Sequence, residues 1–123
     1  IFNYGHSFGH AIESATAFGV PHGVAVSMGM AMANHIASLR GLLPSAQRDR
    51  MEPVLRKNNA AYRDVRIETD VLVQALSKDK KNTAAKLVLI FPVGDQAEIR
   101  RTEVPLDQDF IQQCSAALRD LRK

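Results

Sequence analysis

The sequence predicts a mainly α-helical domain carrying one small β-hairpin, and three features support that expectation. Apolar residues recur at helical spacing between Ser7 and Ala17 and again beyond Asp107. The stretch Ala25 to Leu39 is apolar and rich in small residues, as befits a helix buried nearly all round. The run Lys86-Leu87-Val88-Leu89-Ile90-Phe91 is apolar and β-branched, bounded by Pro92 and Gly94, and reads as a strand. With 123 residues the chain can form one domain with a real core, but not two.

Taken in order, the first helix is expected from Ser7 to about Ala17. Phe8, Ile12 and Ala15 share one face, and Ser7, His10 and Glu13 form a polar one. Gly19 fits a C-terminal cap, and Pro21 follows shortly after. A second helix is expected from about Gly23 to Gly41. Ala25, Gly29 and Ala33 stack one turn apart along it, so another backbone can approach closely there. Met28, Met30 and Met32 fall on different faces, which marks this as the central helix.

Gly41 and Pro44 end that element, and Ser45 is expected to cap a third helix running through Gln47, Met51, Val54 and Leu55. Pro53 predicts a kink or restart within it. Thr69 and Asp70 offer caps for a short helix around residues 71–76. A charged segment, residues 78–82, precedes the strand at 86–91. The strand is expected to pair with residues 97–101 across the turn at 93–96. Asp107 or a neighbour then starts a final amphipathic helix with Phe110, Ile111, Cys114, Leu118 and Leu121 inward.

Composition narrows the function classes. The net charge is +3, without a long basic run or interleaved aromatics, which argues against nucleic-acid binding and leaves small anions as partners. The apolar stretch ending at Leu39 is short for a membrane span and contains Ser27, Asn34, His35 and Ser38, so no membrane association is expected. The single cysteine, Cys114, cannot form an internal disulfide and suits a reducing, cytoplasmic setting. Opening on Ile1-Phe2-Asn3, without a Met start or a signal-peptide pattern, the chain reads as the interior of a longer protein.

The chemistry concentrates near the start. Three of the 4 histidines lie within the first 22 residues. His6 and His10 stand one helical turn apart, and His22 begins the next helix after the Gly19-Val20-Pro21 turn. Imidazoles presented from adjacent helix ends suit a divalent metal, which then needs at least one more protein ligand. Ser7 occupies the place of the general base in an H-E-x-x-H zincin, so that class is excluded. Glu13, about two turns from His6, is placed for an outer role beside the ligands. By spacing alone, a pair such as His6 and His10 is more often structural or solvent-exposed than a metal site. Gly5, Gly9 and Gly23 beside the histidines suggest close approach of a backbone or a ligand.

The segment Asn3-Tyr4-Gly5-His6-Ser7-Phe8-Gly9-His10-Ala11-Ile12-Glu13 resembles N-[FY]-G-H-[ST]-x-G-H-A-x-E of the 3-dehydroquinate synthases and related sugar-phosphate cyclases. His22-Gly23-x-Ala25-Val26-x-x-Gly29-Met30 resembles that family's H-G-E-A-V-x-x-G-M. Asp79-Lys80-Lys81, followed by the strand at 87–90 and by Gly94, is similar to its D-K-K, strand, Gly run. The three motifs occur in family order, and the first is the specific one.

This resemblance implies a dehydroquinate-synthase-like C-terminal domain spanning residues 1–123, with the NAD-binding N-terminal domain outside this chain. It implies that His6 and His22 are ligands of Zn²⁺ or Co²⁺, with a glutamate from the preceding region as the third. Asn3, His10, Lys80 and Lys81 are implied at the substrate phosphate, with His10, Lys80 and Lys81 in catalytic roles. Without the resemblance, Lys80 and Lys81 also read as a solvated charge run and Asn3 as a helix cap. His35 reads as a satisfied or peripheral histidine.

The implied enzyme is a phosphate lyase of the shikimate (aromatic amino-acid) pathway, a homodimer when complete. It converts a phosphorylated sugar acid, DAHP, to a carbocycle by oxidation, phosphate elimination, re-reduction and an aldol closure. This chain alone is expected to be inactive. Val24 departs from the family, which usually has Glu there, and this keeps a diverged cyclase paralogue open. A metal-dependent polyol dehydrogenase of related fold and a non-catalytic helical module are the other readings.

Overall fold

Small residues set how the first two helices meet. In the computed structural model, which describes residues 4–78 and 86–123, α1 (His6–Ala15) lies directly on α2 (His22–Leu39). A Cβ on Gly5 would stand 2.8 Å from the Met30 nitrogen, and one on Gly9 would stand 3.0 Å from the Val26 Cα. The expected close approach is therefore present at Ala25 and Gly29, and α1 is the backbone that uses it. Gly23 differs: nothing lies within 4 Å of where its Cβ would be, so packing does not require glycine there.

The central helix is buried as expected. Ala25, Met28, Met32, Ala33, Ile36 and Ala37 are each at most 1% exposed, and only Met30 of the three methionines is partly open. Around α2 pack α1, α3 (Ser45–Asn59), α5 (Gln108–Leu121) and the first strand, while α4 (Thr69–Ser77) sits against α1 and α5. Fully burying a side chain such as Phe8 or Ile12 contributes about 1.5–3 kcal/mol, so this ring of contacts carries most of the domain's stability. No described helix is long and apolar enough to cross a membrane.

The hairpin pairs β1 (Lys86–Val93) with β2 (Glu98–Pro105) in antiparallel register, Leu87 opposite Val104 and Leu89 opposite Thr102. Both strands run further than the sequence suggested. Alternation puts Leu87, Leu89 and Phe91 on the core side, whereas β2 contributes only Val104 to it. Gly94 takes a left-handed φ of 79° in the turn, and its N–H donates to the Leu42 carbonyl at 2.8 Å. The loop after α2 thereby holds the hairpin in place.

Four local expectations need correction. The first helix ends at Ala15, and Ala17, not Gly19, takes the left-handed position after its cap, with φ 51°. Its N–H donates to the Ser14 carbonyl at 3.2 Å and that of Phe18 to Glu13 at 2.7 Å, the paired bonds of a Schellman ending. Ser45 is the first residue of α3 and not its cap; Pro44 precedes it with extended ψ and no side-chain bond. Likewise Thr69 is already helical in α4, with Glu68 before it. Helix α3 also runs through Pro53 without a break, its exposed register tolerating the missing donor. Asp107 does cap α5, accepting from the Phe110 N–H at 2.9 Å.

Candidate metal centre

The three early histidines come together. His6 and His10 lie on one face of α1, and the turn at residues 16–21 returns the chain so that His22 opens α2 beside them. Their ring centroids form a near-regular triangle: 5.6 Å from His6 to His10, 5.9 Å from His6 to His22 and 6.1 Å from His10 to His22. Neither helix has an acidic residue in its first turn. The nearby carboxylate is Glu13, one turn beyond His10, whose Oε1 lies 3.1 Å from Nδ1 of His22. The sequence placed Glu13 relative to His6; the fold pairs it with His22.

The donor set suits a divalent metal. Ligand atoms of His10, Glu13 and His22 all lie within 4.8 Å of one another, and His6 adds a third imidazole to the same patch. Imidazole nitrogen and carboxylate oxygen are the groups that zinc-type ions take. The patch is open: His10 is exposed, the His22 side chain is 59% exposed, and Glu13 is mostly covered at 12%. Such a half-shell leaves room for a ligand from another part of the protein. Asn3, Lys80 and Lys81, expected at the phosphate, lie outside the described residues.

The backbone behind this patch is fixed from two sides. Gly5 and Gly9 rest on Gly29, and the neighbouring Tyr4 is buried, its hydroxyl donating to Asn34 Oδ1 at 2.9 Å. Burial raises the Tyr4 pKa, while the bond to Asn34 works in the opposite direction. Tyr4 is thus a neutral anchor that holds the chain leading into His6.

A second polar cluster was not foreseen. Asp120 of α5 meets Arg48 at 3.1 Å and Arg56 at 3.7 Å, and Arg56 also pairs with Glu52 at 2.6 Å. These groups, with Asn34 and Asn59, line a cavity of about 90 Å³ to which none of the three clustered histidines contributes. His35 sits against the cluster, its Nδ1 3.7 Å from Asp120 and without a hydrogen bond among the described residues. It is peripheral to the histidine triangle, as expected, but not satisfied at Nδ1. Burial, followed by the charge of Arg48, lowers its pKa. No signal in the linear sequence joins residues so far apart.

The chain is similar to known proteins over most of its length. A family model described as "3-dehydroquinate synthase C-terminal" matches residues 1–82. The chain is 36% identical to the 3-dehydroquinate synthase of Helicobacter hepaticus, over 84% of this chain and 30% of that protein. It is 34% identical to that of Sulfolobus acidocaldarius, over 93% of this chain and 34% of that protein. The chain therefore spans about a third of the length of these relatives. In fold it resembles 2-deoxy-scyllo-inosose synthase, solved with carbaglucose-6-phosphate, NAD⁺ and Co²⁺: the TM-score is 0.66 at 23% identity, covering 96% of this chain and 34% of that one.

Proposed function

Since this chain belongs to the 3-dehydroquinate synthase C-terminal family, we propose that it is the metal- and substrate-binding domain of a complete sugar-phosphate cyclase. The activity proposed for the whole protein is that of its relatives' name: closure of a phosphorylated sugar acid to 3-dehydroquinate with loss of phosphate. The observation that carries this reading is the triangle of His6, His10 and His22, with Glu13 bonded to the last.

In this proposal His6 and His22 hold the divalent ion, Zn²⁺ or Co²⁺, together with a carboxylate from the remainder of the protein. The ion, when bound, polarises a substrate oxygen as a Lewis acid. His10, exposed beside both ligands, is free to reach a substrate and to hold a proton or a hydrogen bond at the phosphate. Asn3, Lys80 and Lys81 would add an amide donor and mobile positive charge to the same anion. NAD⁺ is assigned to the part of the protein outside this chain, which fits a domain covering about a third of its relatives. Homodimerisation and a cytoplasmic setting belong to the same proposal.

The test uses the full-length protein, supplied with NAD⁺ and the phosphorylated sugar acid. Phosphate release without net NADH is expected. Net NADH without phosphate would support the polyol dehydrogenase reading instead. A non-catalytic module predicts neither product, together with metal content unaffected by His6→Ala and His22→Ala.

A further inference from the structure

Two features of Glu13 set it apart from an ordinary surface carboxylate. Its side chain is largely covered while its partner His22 is largely exposed, so it is the better-fixed member of the pair. Its backbone is held as well: the Glu13 carbonyl accepts the Phe18 N–H at 2.7 Å in the turn that delivers His22. Glu13, in the last turn of α1, thus both anchors the turn and meets the first residue of α2. Nothing else in the first turn of α2 supplies an acid to that ring.

The contact is made at Nδ1, at 3.1 Å. A carboxylate oxygen can only accept, so Nδ1 must carry the hydrogen. In a neutral imidazole the other nitrogen, Nε2, then keeps its lone pair. Free histidine in water prefers the opposite tautomer, with the hydrogen on Nε2, which would present a blocked atom to a metal.

We propose that Glu13 is the positioning residue that fixes His22 as the Nδ1–H tautomer and leaves Nε2 as the atom offered to the metal. The proposal rests on the metal-binding reading above and goes beyond it by assigning a role to Glu13. It also excludes Glu13 as a ligand itself, which the proximity of its oxygen to His10 and His22 would otherwise allow.

The experiment compares the full-length protein with its Glu13→Gln and Glu13→Ala variants in two measurements. Chelator competition with Zn²⁺ gives metal affinity, and ¹⁵N-resolved NMR of the metal-free protein gives the His22 tautomer. In the unaltered protein His22 carries its hydrogen on Nδ1. Glu13→Ala shifts it toward Nε2 and weakens Zn²⁺ binding by about 10–100-fold, as loss of such partners does. Glu13→Gln, whose amide oxygen still accepts from Nδ1, keeps the tautomer and stays within a few-fold of the original affinity. Unchanged affinity in Glu13→Ala overturns the proposal, and so does a Glu13→Gln variant as weak as Glu13→Ala with its tautomer intact, because that pattern marks a direct ligand. If the unaltered full-length protein binds no stoichiometric metal, the metal-binding reading falls. The tautomer measurement then decides separately whether Glu13 sets the His22 ring.

Discussion

Gly29 of α2 supports the carbonyl oxygen of Gly5 with no space between them for a methyl group; a Cβ on Gly29 would also stand 2.7 Å from the Gly9 nitrogen. Both obstacles are backbone atoms, which cannot rotate aside. Gly29→Ala is therefore expected to push α1 away from α2, destabilising the domain by about 1–3 kcal/mol as overpacking does. Because His6 follows Gly5 directly, the same variant should bind Zn²⁺ more weakly. Urea unfolding and chelator competition measure the two effects; an unchanged urea midpoint contradicts this account of the contact.

Ala17 offers the opposite experiment. It holds φ 51° at the end of α1, where an L side chain is disfavoured. Ala17→Gly should remove that strain and raise stability by up to about 1 kcal/mol, less the extra chain entropy of glycine. Thermal unfolding should show a higher Tm. A lower one would mean that the methyl group packs usefully in the turn.

His35 predicts a pH dependence. Its pKa lies below the ordinary value near 6.5 because burial and then Arg48 disfavour the charged ring, against the pull of Asp120 and Glu52. The unfolded chain therefore takes up the proton first as pH falls. Stability from the neutral ring is fully present above about pH 6.5 and is lost progressively below it, toward the depressed folded value. Urea midpoints of the unaltered protein and a His35→Gln variant, compared on either side of that pH, isolate the effect from the other histidines. The variant should lose less stability on acidification, and equal losses would refute the assignment.

Cys114 should be chemically silent in the folded protein. It is fully buried, and desolvation pushes its pKa up to about 12, so thiolate is scarce at neutral pH. A disulfide reagent such as DTNB is expected to label it only after unfolding in urea. Rapid labelling of the native protein would show that α5 opens locally.

Much of the site was legible because its spacing is local. Two histidines one turn apart and a third after a short turn can be placed together from the sequence, and the ring triangle agrees with that. The close helix contact was legible for the same reason, since glycine and alanine at one-turn intervals leave only one use for the space. Capping was read less well. Gly19 has the better intrinsic fit to a left-handed position, yet Ala17 and Phe18 take it, because α1 already ends at Ala15. The Arg48–Asp120 contact was out of reach, because it depends on how α3 and α5 are brought together across 72 residues. Asn3, Lys80 and Lys81 belong to the same site in the sequence reading and lie outside the described residues.

The histidine triangle is drawn entirely from one helical hairpin, α1, its turn and the first residue of α2. Bringing His6 to His22 closes only a short loop, and the entropy of closure grows with loop length. The donors can therefore meet before the hairpin pairs or α5 docks against α2, steps that need far more distant parts of the chain. A metal present during synthesis would find its imidazole ligands early and would bias the α1–α2 pair toward its native form. An ion at the proposed site would then act as a template for folding as well as a ligand of the folded domain.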